Sequence, residues 1–145
     1  MKIVHGLPPN FDKICQAFDL QGMHPIFAWG DTLFVPYDRI PDDSLMAHEE
    51  THSRQQAVYG VEKWWDRYLV DPDFRLAMEL EAYQNQYAHA KTVIKDRNKL
   101  DRYLHMIAGH LASPMYGSII PLREARRVIV DKSVRFDVPV PADVV

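Results

Sequence analysis

Residues 42–60 read DDSLMAHEETHSRQQAVYG. Asp42, Asp43 and Ser44 carry side chains that cap a helix start, and Gly60 suits a stop. The stretch therefore predicts a helix from about Leu45 to Tyr59. Within it stands His48-Glu49-Glu50-Thr51-His52. Helical residues four apart share one face, one turn above the other. Two imidazoles so placed can converge on one zinc ion, at about 2.0–2.1 Å each. Glu49 points into a neighbouring sector. From there it can reach a metal-bound water without being a ligand, as a general base must. Glu50 reads as a solvated helix charge.

Catalytic zinc commonly has three protein ligands and one open position. A metzincin would continue with Gly at 55 and His at 58; the chain has Gln55 and Val58, which excludes that class. Asp71-Pro72-Asp73 starts a later helix, expected from about Asp73 to Ile94, that carries Glu79 and Glu81. Two positions apart, these carboxylates point about 200° from one another, so only one can face the metal. Glu81 shares its face with Ala77, Gln84 and Ala88 and borders Leu76, Leu80, Tyr83 and Tyr87. Small residues beside a carboxylate let two helices approach closely. Glu79 shares its face with Arg75, at the spacing of a surface ion pair. Glu81 is the expected third ligand, and Glu79 the solvated partner.

The rest of the chain fits one domain over residues 1–145, mainly helical α+β. A first helix is expected over 10–20, with Phe11, Ile14, Cys15 and Phe18 on one side. Residues 26–36 read as two short strands around Gly30-Asp31, a hairpin ended by Pro36. Further helices are expected over Val61 to Leu69, Lys99 to Ala112 and Pro121 to Val130. The alternation of Val134, Phe136, Val138 and Val140 suits an edge strand or an extended tail. Core packing is expected of at least one of Trp64 and Trp65. A solvated face is expected of Arg123, Arg126 and Arg127.

The formal net charge of −3 gives no electrostatic case for nucleic acid or an anionic membrane. Cys15 is the only cysteine, which leaves no internal disulfide and no cysteine-based zinc site. Leu104 to Leu122 lacks Asp, Glu, Lys and Arg, but its glycines and prolines break a spanning helix. The N-terminus lacks the apolar stretch of a signal peptide. The expected location is the cytoplasm of a host cell or a phage particle.

His48-Glu49-x-x-His52 followed by Glu81-Ala82 resembles the gluzincin family of metallopeptidases. In that family a glutamate on a later helix, often in a Glu-Ala pair, completes the site. More narrowly, the chain resembles the small metallopeptidases of bacteriophages and prophages. The likeness rests on Phe27-Ala28-Trp29-Gly30-Asp31, Gln55-Gln56 and Glu79-Leu80-Glu81-Ala82-Tyr83. Leu111-Ala112-Ser113-Pro114-Met115-Tyr116-Gly117 and Glu124-Ala125 add to it, so that it runs from about residue 25 to 130. The resemblance implies a zincin-like core with an active-site helix, a glutamate helix and an edge strand. An extended peptide could lie against that strand, and residues 26–35 match its place.

The expected function is hydrolysis of a peptide bond in a peptide or protein substrate. One Zn2+ would be held by His48, His52 and Glu81, with Glu49 as base. Tyr116, His110 and His89 are candidate donors to a developing oxyanion. The small size argues against a deep pocket. Two other readings share the motif: a zincin-like interaction module with structural partners in a phage particle, and a peptidoglycan amidase or endopeptidase.

Overall fold

A computed structural model describes residues 1–138 as a mainly helical α+β chain. The elements are β1 (Lys2–His5), α1 (Phe11–Ala17), β2 (Phe27–Trp29), β3 (Thr32–Val35), α2 (Asp43–Tyr59), α3 (Val61–Val70), α4 (Pro72–Val93), α5 (Arg97–Leu111) and α6 (Leu122–Ile129). A 3-10 turn covers Pro114–Tyr116.

The helix starts are set by short acidic caps. Asp42 accepts from the Leu45 amide, Asp71 from Phe74 and Asp96 from Lys99. Pro72 then takes the first position of α4, where its missing N–H costs nothing. Gly60 ends α2 with φ 89°, a conformation that favours glycine, and α3 begins at the next residue. The Asp96 cap places the α5 start two residues earlier than expected.

β2 and β3 form the expected hairpin, with Trp29 paired to Thr32 and Gly30 at φ 60° in the loop. β1 was not expected. It runs parallel to β3, giving the order β1-β3-β2. With only Ile3 and Val4 to signal it, this edge strand is too short for a periodic pattern. Leu33, Val35 and Ala28 bury a small core with Met1, Ile26 and Met46.

The larger core is built around α4, which packs against α2, α3, α5 and α6. Its buried residues include Phe74, Leu76, Met78, Leu80, Tyr83 and Gln86, which do not lie on a single stripe. Over 74–84 every residue but Glu81 is buried, so the helix lacks the broad polar face that would orient a reading of its carboxylates. Asn85 donates to Thr51 Oγ1 at 2.8 Å and so ties α4 to α2. Trp64 and Trp65 are both buried.

Of the two readings of the tail, the edge strand does not form within the described residues: 134–138 carry no strand, and Val140 lies outside them. Gln84 Nε2 holds the start of this segment by donating to the carbonyls of Val128, Asp131 and Val134. On α6, Arg126 pairs with Asp101 and Arg127 with Glu124. No helix among the described residues is long and apolar enough to cross a membrane.

Candidate metal centre

α2 sets His48 and His52 one turn apart, and their Nε2 atoms lie 3.1 Å from each other. The rings meet edge to face, with centroids 4.8 Å apart. Glu79 reaches them from α4: Oε2 is 3.1 Å from His48 Nε2, and Oε1 is 3.3 Å from His52 Nε2. All three residues are buried, and their candidate ligand atoms lie within 4.8 Å of one another.

Glu79, not Glu81, completes the group. The expected Glu79–Arg75 surface pair does not exist. Arg75 is itself buried and donates to the carbonyls of Tyr68, Leu69 and Met115. With α4 enclosed on several sides, the face that looked solvated is the one turned toward α2. Glu79, Tyr83 and Gln86 follow at i, i+4 and i+7 along that face, and each touches the site. Tyr83 sets its ring 4.6 Å from the His48 ring. Gln86 lies 2.9 Å from His48 Nδ1. This polar i, i+4, i+7 row was the signal in the sequence that could have selected Glu79.

Glu81 lies one step out. It accepts from Gln55 Nε2 at 2.8 Å, and Gln55 also donates to the Met78 carbonyl at 3.0 Å. That orientation turns Gln55 Oε1 toward His52 Nδ1, 2.9 Å away. An amide oxygen only accepts, so Nδ1 carries the hydrogen and Nε2 is left with its lone pair. Gln86 does the same for His48, and its own amide donates to the Tyr103 hydroxyl at 2.8 Å. Both imidazoles thus present a free nitrogen to the point where Glu79 arrives, as metal-binding histidines require.

Glu79 is oriented too. Tyr68 donates to Glu79 Oε1 at 2.5 Å, while Glu79 Oε2 is buried without a hydrogen bond. A buried carboxylate oxygen beside two imidazole nitrogens is an acceptor set that suits a cation. The donors therefore fit a metal, and this buried His-His-Glu group could hold one ion. Without metal a proton takes that place. Burial opposes a charge on His52, but Glu79 outweighs it and pushes the imidazole up to about 9. Burial likewise acts against the Glu79 charge, and the His52 and His48 charges outweigh it, holding its carboxyl well below the usual range.

A cavity of about 670 Å³ opens beside these residues and is lined by His48, Glu49, His52 and Glu79. The expectation of no deep pocket is thereby overturned: α1, β2, α5 and the 3-10 turn enclose space over α2 that a short chain seemed unable to build. Glu49 is buried, and its carboxylate hydrogen-bonds no group among the described residues. Burial raises its carboxyl, although the neighbouring His48 and His52 charges pull it back.

No match to this chain is found among protein-family models, curated proteins or solved structures. Of the candidate donors, Tyr116 and His110 line the cavity, whereas His89 instead bonds Ser44 at 2.8 Å. Tyr83, absent from the sequence expectations, lines it as well, its hydroxyl 3.5 Å from that of Tyr116. Burial raises both phenols well above their ordinary value and keeps them as donors.

Proposed function

We propose that this chain is a zinc-dependent metallopeptidase of gluzincin type, with His48, His52 and Glu79 as ligands and Glu49 as general base. The observation that carries the reading is the convergence of the three donors beside the buried Glu49 carboxylate, which hydrogen-bonds no group among the described residues. A purely structural zinc site has no use for Glu49. Two imidazoles and one carboxylate make a common donor set of catalytic zinc. When bound, zinc supplies Lewis acidity that activates water near neutral pH and polarises the substrate carbonyl.

The chain's own groups have separable tasks. Gln55 and Gln86 fix the imidazole tautomers, and Tyr68 fixes Glu79. Glu49 takes a proton from the attacking water as its oxygen joins the carbonyl carbon. It then passes that proton to the amide nitrogen as the C–N bond breaks. Tyr116 and Tyr83 hold phenolic donors at the cavity wall, where negative charge develops on the carbonyl oxygen.

The test is metal analysis of purified protein, followed by digestion of a peptide library with wild type and Glu49→Gln. The expected result is one zinc per chain in both and cleavage by wild type alone. Stoichiometric zinc without cleavage would instead favour a zincin-like interaction module. Cleavage of peptidoglycan cross-links but no peptide would favour the amidase or endopeptidase reading.

A further inference from the structure

The outer edge of β2 should be the place where an extended substrate adds as a strand, and it is partly closed. In a hairpin with Trp29 and Thr32 as its closing pair, the Ala28 carbonyl points away from β3. Gln56 Nε2 donates to that carbonyl at 3.0 Å, and its Oε1 accepts from the Gly30 amide at 2.6 Å. The Gln56 side-chain amide thus makes the two hydrogen bonds that the N–H and C=O of one residue in an added strand would make. Trp65 Nε1 also donates to the Ala28 carbonyl at 3.0 Å, which uses its second lone pair.

The cavity offers what the edge does not. Its volume of about 670 Å³ falls within the range of small-ligand sites. Ile14, Phe18, Phe27, Ile107 and Met115 supply apolar wall close to the metal ligands. Arg39 and Asp42 also line it, but their opposite charges favour neither sign of ligand. A charged side chain buried against the apolar wall would bear a desolvation cost that an apolar one does not.

We infer that the substrate is selected by one large uncharged apolar side chain, next to the scissile bond, sinking into this cavity rather than by strand addition along Ala28–Gly30. The inference rests on the peptidase reading. Burial of a large apolar side chain is worth about 10- to 100-fold in affinity.

The experiment uses Glu49→Gln, with and without zinc, and three probes: N-acetyl-phenylalanine amide, N-acetyl-alanine amide and N-acetyl-glutamate amide. Methyl NMR of Met106 and Met115, both lining residues, reports binding. The phenylalanine probe should shift them and bind at least about 10-fold more tightly than the alanine probe. The glutamate probe should leave them unmoved. Met106→Trp, at a half-exposed wall position, should weaken the phenylalanine probe while circular dichroism stays unchanged. Equal affinities for the three probes, or shifts only at other methyls, would overturn the inference. So would a cleaved peptide whose binding suffers more from backbone N-methylation than from Phe→Ala. Absence of any cleavage by wild type would count against the peptidase reading, and the NMR result would still decide what the cavity binds.

Discussion

Gln55 donates to Glu81 at 2.8 Å while its amide oxygen meets His52 Nδ1 at 2.9 Å. Glu81 therefore reaches the candidate metal centre only through another side chain, whereas Glu79 faces the histidines directly. Their removal should differ in kind. Glu79→Ala should lose stoichiometric zinc. Glu81→Ala should keep it with an affinity lower by about 10-fold, the small end of the range for outer partners of metal ligands. Competition against a chromophoric chelator measures both. Unchanged zinc affinity in Glu79→Ala would reject the ligand assignment.

The Glu49 carboxylate lines the cavity without a hydrogen-bond partner among the described residues, so its loss should spare the fold and the metal. Glu49→Gln should retain one zinc and an unchanged melting temperature. Its turnover should fall by about 10²–10⁴-fold, the usual contribution of a positioned general base. Single-turnover cleavage at saturating peptide separates this loss from weaker binding. Wild-type turnover in the variant would assign the base elsewhere.

The α2 half of this centre was legible in the sequence because its information is local. Caps, helix period and a five-residue motif put His48 and His52 on one face and Glu49 beside it. The α4 half was not, because the choice between Glu79 and Glu81 depends on which side of α4 is enclosed. That is a property of α2, α3, α5 and α6 together. The rule that a carboxylate four residues from an arginine is a solvated pair failed at Glu79. Arg75 is drawn instead to the carbonyls at the end of α3 and in the 3-10 turn. β1 was illegible for another reason: its partner lies about thirty residues away, and four residues carry too little pattern.

At the proposed site zinc and a proton would compete for the same nitrogens, which would make the affinity pH-dependent. In metal-free protein His52 is held up at about 9, against an ordinary 6.5, so binding at neutral pH must expel its proton. Zinc affinity should rise by roughly tenfold per pH unit up to about pH 9 and then level off. The same shift has a sign for stability. A raised imidazole stabilises the metal-free fold below pH 6.5, and this contribution disappears as pH rises through about 9. The depressed Glu79 contributes above its ordinary 4.5 and loses its effect as pH falls further. Metal-free protein should thus gain most from this pair between about pH 4.5 and 6.5 and weaken toward pH 9. The zinc-loaded protein should show no such alkaline loss. Thermal unfolding across pH, with and without chelator, reads both, and parallel curves would show that the pair does not titrate this way.

Gln56 is fully buried and gives its whole amide to the hairpin, donating to Ala28 and accepting from Gly30. Gln56→Met keeps the length of the side chain and removes both bonds. Trp65 still satisfies the Ala28 carbonyl, so the uncompensated loss falls on the Gly30 amide. The cost should be about 1–3 kcal/mol, the penalty for one orphaned buried donor. Because Gln56 makes no hydrogen bond to His48, His52 or Glu79, zinc affinity at a fixed temperature below the transition should match wild type. Chemical denaturation of the zinc-loaded protein, paired with chelator competition, tests the two halves separately. A large fall in zinc affinity with unchanged stability would reverse the assignment and make Gln56 part of the metal centre rather than the bolt that joins β2 to α2.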